Sequence, residues 1–294
     1  MVKQMKKKKR VELFDVINLT LLTLLCLTTL YPFLNLLFTS VSRQADVTAA
    51  GGLLLYPKTI QFDAYDYVFH YNNVWRCYQN TIFITLVGTA FSLLLTCMGG
   101  YALSRRNLPG RAVMTTYVLI TMFIGGGMIP DYLNARDFGL LNSLWSLILP
   151  GAVSAWNLLL ARNFFMGIPD DLKESAYIDG ATEVRTLLQI VLPLSMPIIA
   201  TLALFYALGK WNTYSAALIY NPKAQYQTLQ VVVRSMYSSS SSELSAMPLD
   251  DSYIPPTDVV RAATVIFTTV PILVVYPFLQ KYFAKGMMVG SLKG

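Results

Sequence analysis

A polar segment in the second half of the chain separates two long apolar stretches. It reads Met166-Gly-Ile-Pro-Asp-Asp-Leu-Lys-Glu-Ser-Ala-Tyr-Ile-Asp-Gly-Ala-Thr-Glu-Val-Arg-Thr-Leu-Leu-Gln-Ile-Val-Leu-Pro193. Pro169 fits the first position of a helix, and the two aspartates after it complement the positive end of the helix dipole. Gly180 suits the left-handed conformation that ends a helix, and Thr182 can cap the start of another. The segment therefore predicts a short helix, a sharp turn and a second helix.

Apolar residues recur at helical spacing in both halves of this segment. Leu172, Ala176 and Tyr177 share one face of the first helix, and the second helix has a face made of Leu187, Leu188, Val191 and Leu192. Two short amphipathic helices are too small for a catalytic domain. They suit a docking element, although a hairpin lying on a membrane surface has the same pattern.

The rest of the chain has the composition of a membrane protein. Of its 294 residues, 54% are hydrophobic and 13% are charged, and the mean hydropathy is +0.48. A transmembrane helix needs about 20 apolar residues. Stretches near that length or longer lie at roughly 14–41, 79–103, 112–130, 141–165, 194–219 and 263–283. We therefore expect an all-α membrane protein with six transmembrane helices.

Basic residues indicate how these helices are oriented. The run Lys6 to Arg10 directly precedes the first apolar stretch. If the N-terminus lies inside the cell, 15 of the 23 basic residues fall on the cytoplasmic side, although the outer loops are longer. Both termini are thus expected to be cytoplasmic, and so is the polar segment.

The apolar stretches and the distribution of basic residues together divide the chain into parts. We expect a basic cytoplasmic N-terminus at 1–13, a six-helix domain at 14–283 and a cytoplasmic tail at 284–294. Within the domain, 169–197 forms the cytoplasmic loop, and 220–258 forms an outer loop with Ser-rich and Pro-containing sequence that is typical of a flexible surface.

Several function classes lack support in the sequence. The net charge of +7 comes without a basic stripe interleaved with aromatics, so nucleic-acid binding is not expected. Gly209-Lys210 lacks the glycine that a P-loop needs at position 204, where Leu204 stands. We expect no catalytic residue, no metal site and no cofactor in this chain. Energy for transport would come from another protein, or from an ion gradient in a secondary transporter, which usually carries intramembrane carboxylates and an internal repeat.

A family resemblance rests on the polar segment and its surroundings. Glu174-Ser-Ala-Tyr-Ile-Asp-Gly-Ala181, followed by Ile190-Val-Leu-Pro-Leu194 and Pro197, resembles the EAA loop of binding-protein-dependent ABC permeases. Other stretches resemble the carbohydrate-importer (MalG-like) branch of that family, nearest to permeases for complex oligosaccharides. They are Gly126–Pro130, Gly139–Asn142, Leu147–Val153, Arg162–Phe165, Trp211–Asn212, Tyr276–Phe283, Lys285–Gly286 and Gly290–Gly294. Ser175 departs from the family, which usually has alanine there.

The resemblance implies a type I ABC importer permease fold in a bacterial cytoplasmic (inner) membrane. The chain would pair with a second permease subunit, and two copies of an ABC ATPase would bind ATP and Mg. An extracellular or periplasmic solute-binding protein would deliver a sugar, or in the alternative a non-sugar solute. The residues implied in ATPase coupling are Glu174, Ser175, Ala176, Asp179, Gly180 and Ala181. Of these, Glu174 would make a polar contact to the ATPase, and Asp179 would hold the turn together.

A substrate path needs aromatic faces and polar groups at membrane depth. Trp211 lies 17 residues beyond Leu194, about 25 Å along a helix, and so in the outer half of the membrane. We expect Trp211, Asn212, Tyr214 and, in the fourth apolar stretch, Asn157 to line the path. Equally, the aromatic residues fit an interfacial belt and Asn157 fits an interhelical hydrogen bond. The neighbouring Lys210 is expected either to snorkel outward or to pair with an acid.

Overall fold

The computed structural model describes residues 13–71, 73–238 and 257–291, except for the side chains of Thr257, Tyr276 and 278–291. All regular elements within these residues are helical. The first seven are α1 (Leu13–Ser40), α2 (Gln44–Ala49), α3 (Asp63–His70), α4 (Val74–Ser104), α5 (Arg111–Phe123), α6 (Met128–Asp137) and α7 (Ala155–Met166). The others are α8 (Asp170–Ile178), α9 (Glu183–Thr186), α10 (Leu192–Leu194), α11 (Met196–Trp211), α12 (Ser215–Tyr220), α13 (Leu229–Ser238) and α14 (Thr257–Ser291). A π-helical turn, Leu187–Val191, joins α9 to α10.

The chain divides into two compact units, Met1–His70 with Ser239–Phe267 and Tyr71–Ser238 with Thr268–Gly294. In the first unit, Asn35 anchors the loop after α2, because its amide accepts from the Leu54 N–H at 2.8 Å and donates to the Gly52 carbonyl at 3.1 Å. Val68 is fully buried in this unit, whereas the apolar side chains of α1 from Leu13 to Leu30 are exposed. Exposed apolar side chains along a whole helix are expected of a lipid-facing span.

The second unit is built around α4, which packs against α7 and α11. Its core holds Phe165 from α7, Leu202 from α11 and Val191 from the π-helical turn, all fully buried. Cys97 and Tyr101 complete this core from α4. The polar segment and the long apolar helices thus share one hydrophobic cluster.

Three described helical stretches are long and apolar enough to cross a membrane: α1, α4 and Asp258–Val275 of α14. Two broken pairs have the same composition: α5 with α6, bent by 116°, and Glu183–Leu194 with α11, bent by 86°. The chain therefore has between three and five candidate spans among the described residues. The six-helix count and the cytoplasmic termini stay predictions.

The fourth apolar stretch, 141–165, is not one helix. A 3₁₀ turn at Leu144–Leu147 is followed by irregular backbone, in which Pro150 and Gly151 interrupt the chain and Gly151 has φ of +67°. The helix proper, α7, has 12 residues and is about 18 Å long, shorter than a bilayer core. Hydropathy alone detected an apolar stretch and could not detect this break.

The first half of the expected outer loop contains helical structure that packs against α4, and its outer position and flexibility stay predictions. Helix α13 packs against α4. Asn80 donates from Nδ2 to the carbonyls of Gln225 and Gln227 at 2.9 Å each, and the Thr81 hydroxyl accepts from the Leu229 N–H at 2.9 Å. The remaining loop residues, 239–256, lie outside the described part of the chain.

Candidate coupling site and substrate path

The predicted helix, turn and second helix are present. Helix α8 begins at Asp170, one residue later than expected, with Pro169 immediately before it. Gly180 has φ of +76°, and the turn closes through its N–H to Tyr177 and through the Ala181 N–H to Ala176, at 3.0 and 2.9 Å. A residue with a Cβ atom is strained at such a φ, which explains the glycine.

A side-chain cap and an ion pair fix the two helix starts. The Thr182 hydroxyl accepts from the Arg185 N–H at 3.3 Å, as the sequence predicts. The buried Lys173 ammonium donates to an Asp170 carboxylate oxygen at 3.0 Å and to the Ile168 carbonyl at 3.4 Å. This hydrogen bond, together with the Lys173 charge, holds the pKa of Asp170 below its ordinary value. The start of α8 is therefore pinned to the end of the preceding segment.

The predicted coupling residues take different positions on this frame. Glu174, Ser175, Asp179 and Gly180 are exposed, Ala176 is buried and Ala181 is half-buried. The hydroxyl of Ser175 donates to the Asp171 carbonyl at 2.8 Å, so the departure from alanine leaves no unsatisfied polar group. Backbone bonds close the turn, and the contribution of Asp179 to it stays a prediction.

Four apolar side chains of this segment are exposed: Ile178, Val184, Leu188 and Leu172. Ile178, at the end of α8, is 87% exposed. Leu172 and Leu188 lie on the apolar faces that the sequence predicts, and both are exposed, whereas Ala176 on α8 and Leu187 and Val191 in the π-helical turn are buried. Exposed apolar side chains next to the Glu174 carboxylate form a surface suited to a protein partner.

A polar cluster of Glu183, Tyr101, Tyr177 and Arg105 joins the end of α4 to both helices of the segment. The Tyr101 and Tyr177 hydroxyls donate to Glu183 Oε2 at 2.6 and 2.8 Å, and an Arg105 amino group lies 3.2 Å from Oε1. The guanidinium of Arg105 also lies 5.9 and 5.3 Å from the centres of the two tyrosine rings. We call these four residues the Glu183 cluster.

The electrostatics of the Glu183 cluster favour the ionised carboxylate. Partial burial acts to raise the pKa of Glu183, but the two tyrosine hydrogen bonds and the Arg105 charge outweigh it and hold the pKa below its ordinary value. No local pattern in the sequence points to this cluster, since Tyr101 and Glu183 are 82 positions apart.

Trp211 lies in the interior of the second unit. It is 7% exposed, and its ring meets that of Tyr78 edge-on at a centroid distance of 6.2 Å. It lines an apolar cavity of about 280 Å³, formed by Ile82, Thr85, Leu86, Leu204, Ala207, Leu208, Trp211, Pro271, Ile272 and Val275. The indole N–H and the Thr85 hydroxyl find no hydrogen-bond partner among the described residues. This burial favours an internal role for Trp211 over an interfacial belt.

The other three predicted path residues do not line that cavity. Asn212 is exposed and donates to the Leu208 carbonyl of its own helix at 2.9 Å, while Tyr214 is half-buried just beyond α11. Asn157 is buried in the first turn of α7, near the irregular backbone and not in the middle of a span. The structure therefore sets Trp211 apart from the rest of the predicted set.

Lys210 does not snorkel outward, and it pairs with no acidic side chain in the described part of the chain. Its buried ammonium donates to the carbonyls of Leu147 and Ile148 at 2.8 and 3.2 Å. Its aliphatic chain crosses Gly88, where an added Cβ would come within 3.3 Å. The two carbonyls belong to the break in the fourth apolar stretch, so Lys210 satisfies backbone groups that a regular helix would have paired.

The chain matches one protein family over most of its length. Residues 81–289 fit the model of the binding-protein-dependent transport system inner membrane component. The chain belongs to this family. It is therefore a multi-pass membrane permease and not an enzyme, and the ATP-driven interpretation is supported over the ion-coupled one.

Similar proteins agree with this assignment along nearly the whole permease. Protein LplC of Bacillus subtilis (strain 168) is 42% identical over 292 residues, which cover 99% of this chain and 98% of that protein. The polygalacturonan/rhamnogalacturonan transport system permease protein YtcP of the same organism is 40% identical over 284 residues, covering 96% and 99%. The resemblance to carbohydrate-importer permeases is thus confirmed.

A solved structure shares the fold of the permease. It belongs to a bacterial ABC transporter involved in the import of the acidic polysaccharide alginate. The TM-score is 0.85 and the identity 34%, over 96% of this chain and 100% of the other. The predicted ABC importer permease fold is confirmed in this coarser form.

Proposed function

We propose that the permease forms half of the translocation path of an ATP-driven oligosaccharide importer in a bacterial cytoplasmic membrane. The other half is a second permease subunit, two ATPase subunits bind ATP and Mg on the cytoplasmic side, and an extracellular or periplasmic solute-binding protein delivers the sugar. The observation that carries this proposal is the surface of α8 and α9, where Glu174 and Ile178 are exposed in a chain of this family.

The Glu183 cluster supports a route from the ATPase to the membrane. Tyr177 lies on α8, Glu183 opens α9, and Tyr101 with Arg105 lies at the end of α4. A displacement of α8 by a moving ATPase therefore acts on α4 through hydrogen bonds on both sides of the Gly180 turn. Because α4 packs along α7 and α11, the same displacement reaches the helix that carries Trp211.

The substrate path is proposed to run past Trp211, with Asn212, Tyr214 and Asn157 as further contacts. Support comes from the unpaired indole N–H and Thr85 hydroxyl at the cavity, which are free to bind a polar group. Lys210 is not among the residues that line this cavity, and its ammonium donates to two backbone carbonyls instead.

The substrate class is proposed from similar proteins. YtcP is named for polygalacturonan and rhamnogalacturonan, the structural neighbour for alginate, and the AraQ permease of Halalkalibacterium halodurans, 30% identical over 268 residues, for arabinooligosaccharides. All three names denote polymers or oligomers of sugars. We therefore propose an oligosaccharide over a monosaccharide or a non-sugar solute.

Reconstitution tests this function. The permease is placed in proteoliposomes with its second permease, ATPase and binding protein, and uptake of labelled galacturonan, alginate and arabinan oligomers is measured. We expect uptake of at least one oligomer that requires internal ATP and the binding protein. Uptake by the permease alone under a proton or sodium gradient would contradict the proposal.

A further inference from the structure

Three arginines surround a pocket outside the Glu183 cluster. Arg106 follows the end of α4, Arg111 opens α5, and Arg162 lies in the second half of α7. The pocket has a volume of about 610 Å³, and the side chains of Thr115 and Thr116 also line it. Three guanidinium groups thus share one concave surface.

The charge of these arginines is not neutralised within the described part of the chain, where none of the three forms an ion pair. The Nε groups of Arg111 and Arg162 both donate to one acceptor, the Leu103 carbonyl, at 3.0 and 3.3 Å. Asp170, whose pKa responds to the Arg106 charge, is already paired with Lys173. Like charges gathered around one carbonyl repel each other unless an anion joins them.

The other hydrogen bonds of these arginines leave several of their N–H groups without an acceptor among the described residues. An Arg111 amino group lies 3.1 Å from the Met166 sulfur, a weak acceptor, and an Arg162 amino group donates to the neighbouring Asn163 amide at 3.1 Å. Arg106 is exposed and makes no hydrogen bond to a described residue. Since a guanidinium has five N–H groups, the three arginines that line the pocket keep several donors without a described acceptor, and phosphate oxygens accept readily from such donors.

An apolar surface begins where the pocket ends. Helix α5 has no buried residue, and its apolar side chains from Val113 to Phe123 are largely exposed. Its 13 residues span about 20 Å. Charged groups at one end of an exposed apolar helix match the two parts of a phospholipid, a phosphate headgroup and acyl chains.

We infer that this pocket binds the phosphate headgroup of an anionic phospholipid in the cytoplasmic leaflet, with the acyl chains along α5. The inference rests on the proposed orientation, which puts the pocket at the cytoplasmic face. Basic pockets between transmembrane helices on that face suit anionic headgroups, and each nearby arginine strengthens the attraction severalfold. The site would keep this part of the permease in contact with the lipid around it.

Lipid retention tests the inference without transport. Full-length permease is purified in mild detergent, exposed to equal amounts of phosphatidylglycerol and phosphatidylcholine, and analysed by native mass spectrometry. We expect about tenfold preference for phosphatidylglycerol. Arg106→Gln should reduce that preference severalfold, and Arg111→Gln with Arg162→Gln should abolish it. Arg136→Gln is the matched control, because Arg136 is exposed and paired with Asp137, and it should retain the lipid as the unmodified chain does.

Other occupants give different results. Equal retention of the two lipids, or an unchanged preference in Arg106→Gln, overturns the inference. Displacement of phosphatidylglycerol by inorganic phosphate at the same concentration assigns the pocket to a free anion and also overturns it. If Arg106→Gln loses the ATPase in pull-down while keeping the lipid preference, the pocket is a protein contact.

Arg106→Gln removes no described hydrogen bond, so the test remains decisive if the double variant does not fold. The lipid preference is measured without transport, so a failure of oligosaccharide uptake in the reconstitution experiment would not change it.

Discussion

The ammonium of Lys210 lies 2.8 Å from the carbonyl oxygen of Leu147, in the break that replaces a continuous fourth helix. One helical turn earlier on α11, the hydroxyl of Tyr206 accepts from the Ser154 N–H at 3.1 Å and bonds to the Thr96 hydroxyl at 2.6 Å. Two side chains of one helix thus satisfy both ends of the interrupted backbone. An irregular segment at membrane depth is stable only where protein groups replace the missing helical bonds.

Lys210→Met should lower the melting temperature of the purified permease, because it leaves the Leu147 and Ile148 carbonyls without a donor while keeping the aliphatic chain beside Gly88. The expected loss is about 1–3 kcal/mol, the cost of burying unpaired acceptors. Thermal unfolding in detergent measures it. Lys223→Met, at an exposed position, is the control and should have no effect. Equal melting temperatures for the two variants would show that Lys210 has no structural role.

Gly180→Val should disrupt the turn between α8 and α9, because a β-branched residue is strained at a φ of +76° by about 1–2 kcal/mol or more. Gly180→Asn, which tolerates the left-handed region, should be much milder. The amount of ATPase that co-purifies with each variant from membranes is the measurement. If valine and asparagine behave alike, the left-handed turn is not what docking requires.

Glu183→Gln should reduce oligosaccharide uptake per ATP hydrolysed while ATPase docking persists, since it removes the ion pair to Arg105 but leaves the exposed face of α8 intact. Because the pKa of Glu183 is held below its ordinary value, the carboxylate stays ionised at neutral pH. Its stabilising contribution is lost only as the pH falls through that lowered pKa. Asp63→Asn, at an exposed position on α3, is the control. An unchanged ratio of uptake to hydrolysis would exclude the Glu183 cluster from coupling.

Trp211→Ala should impair uptake more than it impairs ATPase docking, because it empties one wall of the cavity in the second unit. Trp211→Phe separates two contributions: it keeps a ring against Tyr78 but removes the unpaired indole N–H. If the N–H binds substrate, the apparent KM for uptake rises in this variant with normal docking. Trp156→Ala, at an exposed tryptophan, is the control. Uptake at the control level in both Trp211 variants would remove this residue from the path.

Local chemistry in the sequence predicts the coupling segment well. The left-handed glycine, the Thr182 cap and the two short helices depend on residues close in sequence, and the structure contains each of them. The start of α8 differs by one residue, within the ordinary variation of helix ends. Family motifs extended this prediction to the ABC importer permease fold.

Contacts between residues far apart in the chain could not be predicted from the sequence, for a physical reason. Glu183 meets Tyr101 across 82 positions and Lys210 meets Leu147 across 63, and neither pairing leaves a periodic signal. Hydrophobicity alone does not tell whether an apolar side chain is buried inside the chain or exposed to lipid or a partner, because all three surroundings favour the same residue types. Leu172 and Leu188 recur at helical spacing and are exposed. Hydropathy likewise showed 141–165 as one stretch although Pro150 and Gly151 break it.

We propose that the exposed face of α8 docks a separate ATPase, and a charge reversal at Glu174 tests this docking most directly. The permease is co-expressed with its partners, and both co-purified ATPase and ATP-dependent oligosaccharide uptake are measured for Glu174→Lys and for Asp63→Lys, an exposed acidic position on α3. We predict that Glu174→Lys stays in the membrane but loses most of the bound ATPase and the uptake, while Asp63→Lys keeps the ATPase. Normal amounts of ATPase and normal uptake with Glu174→Lys would contradict the account.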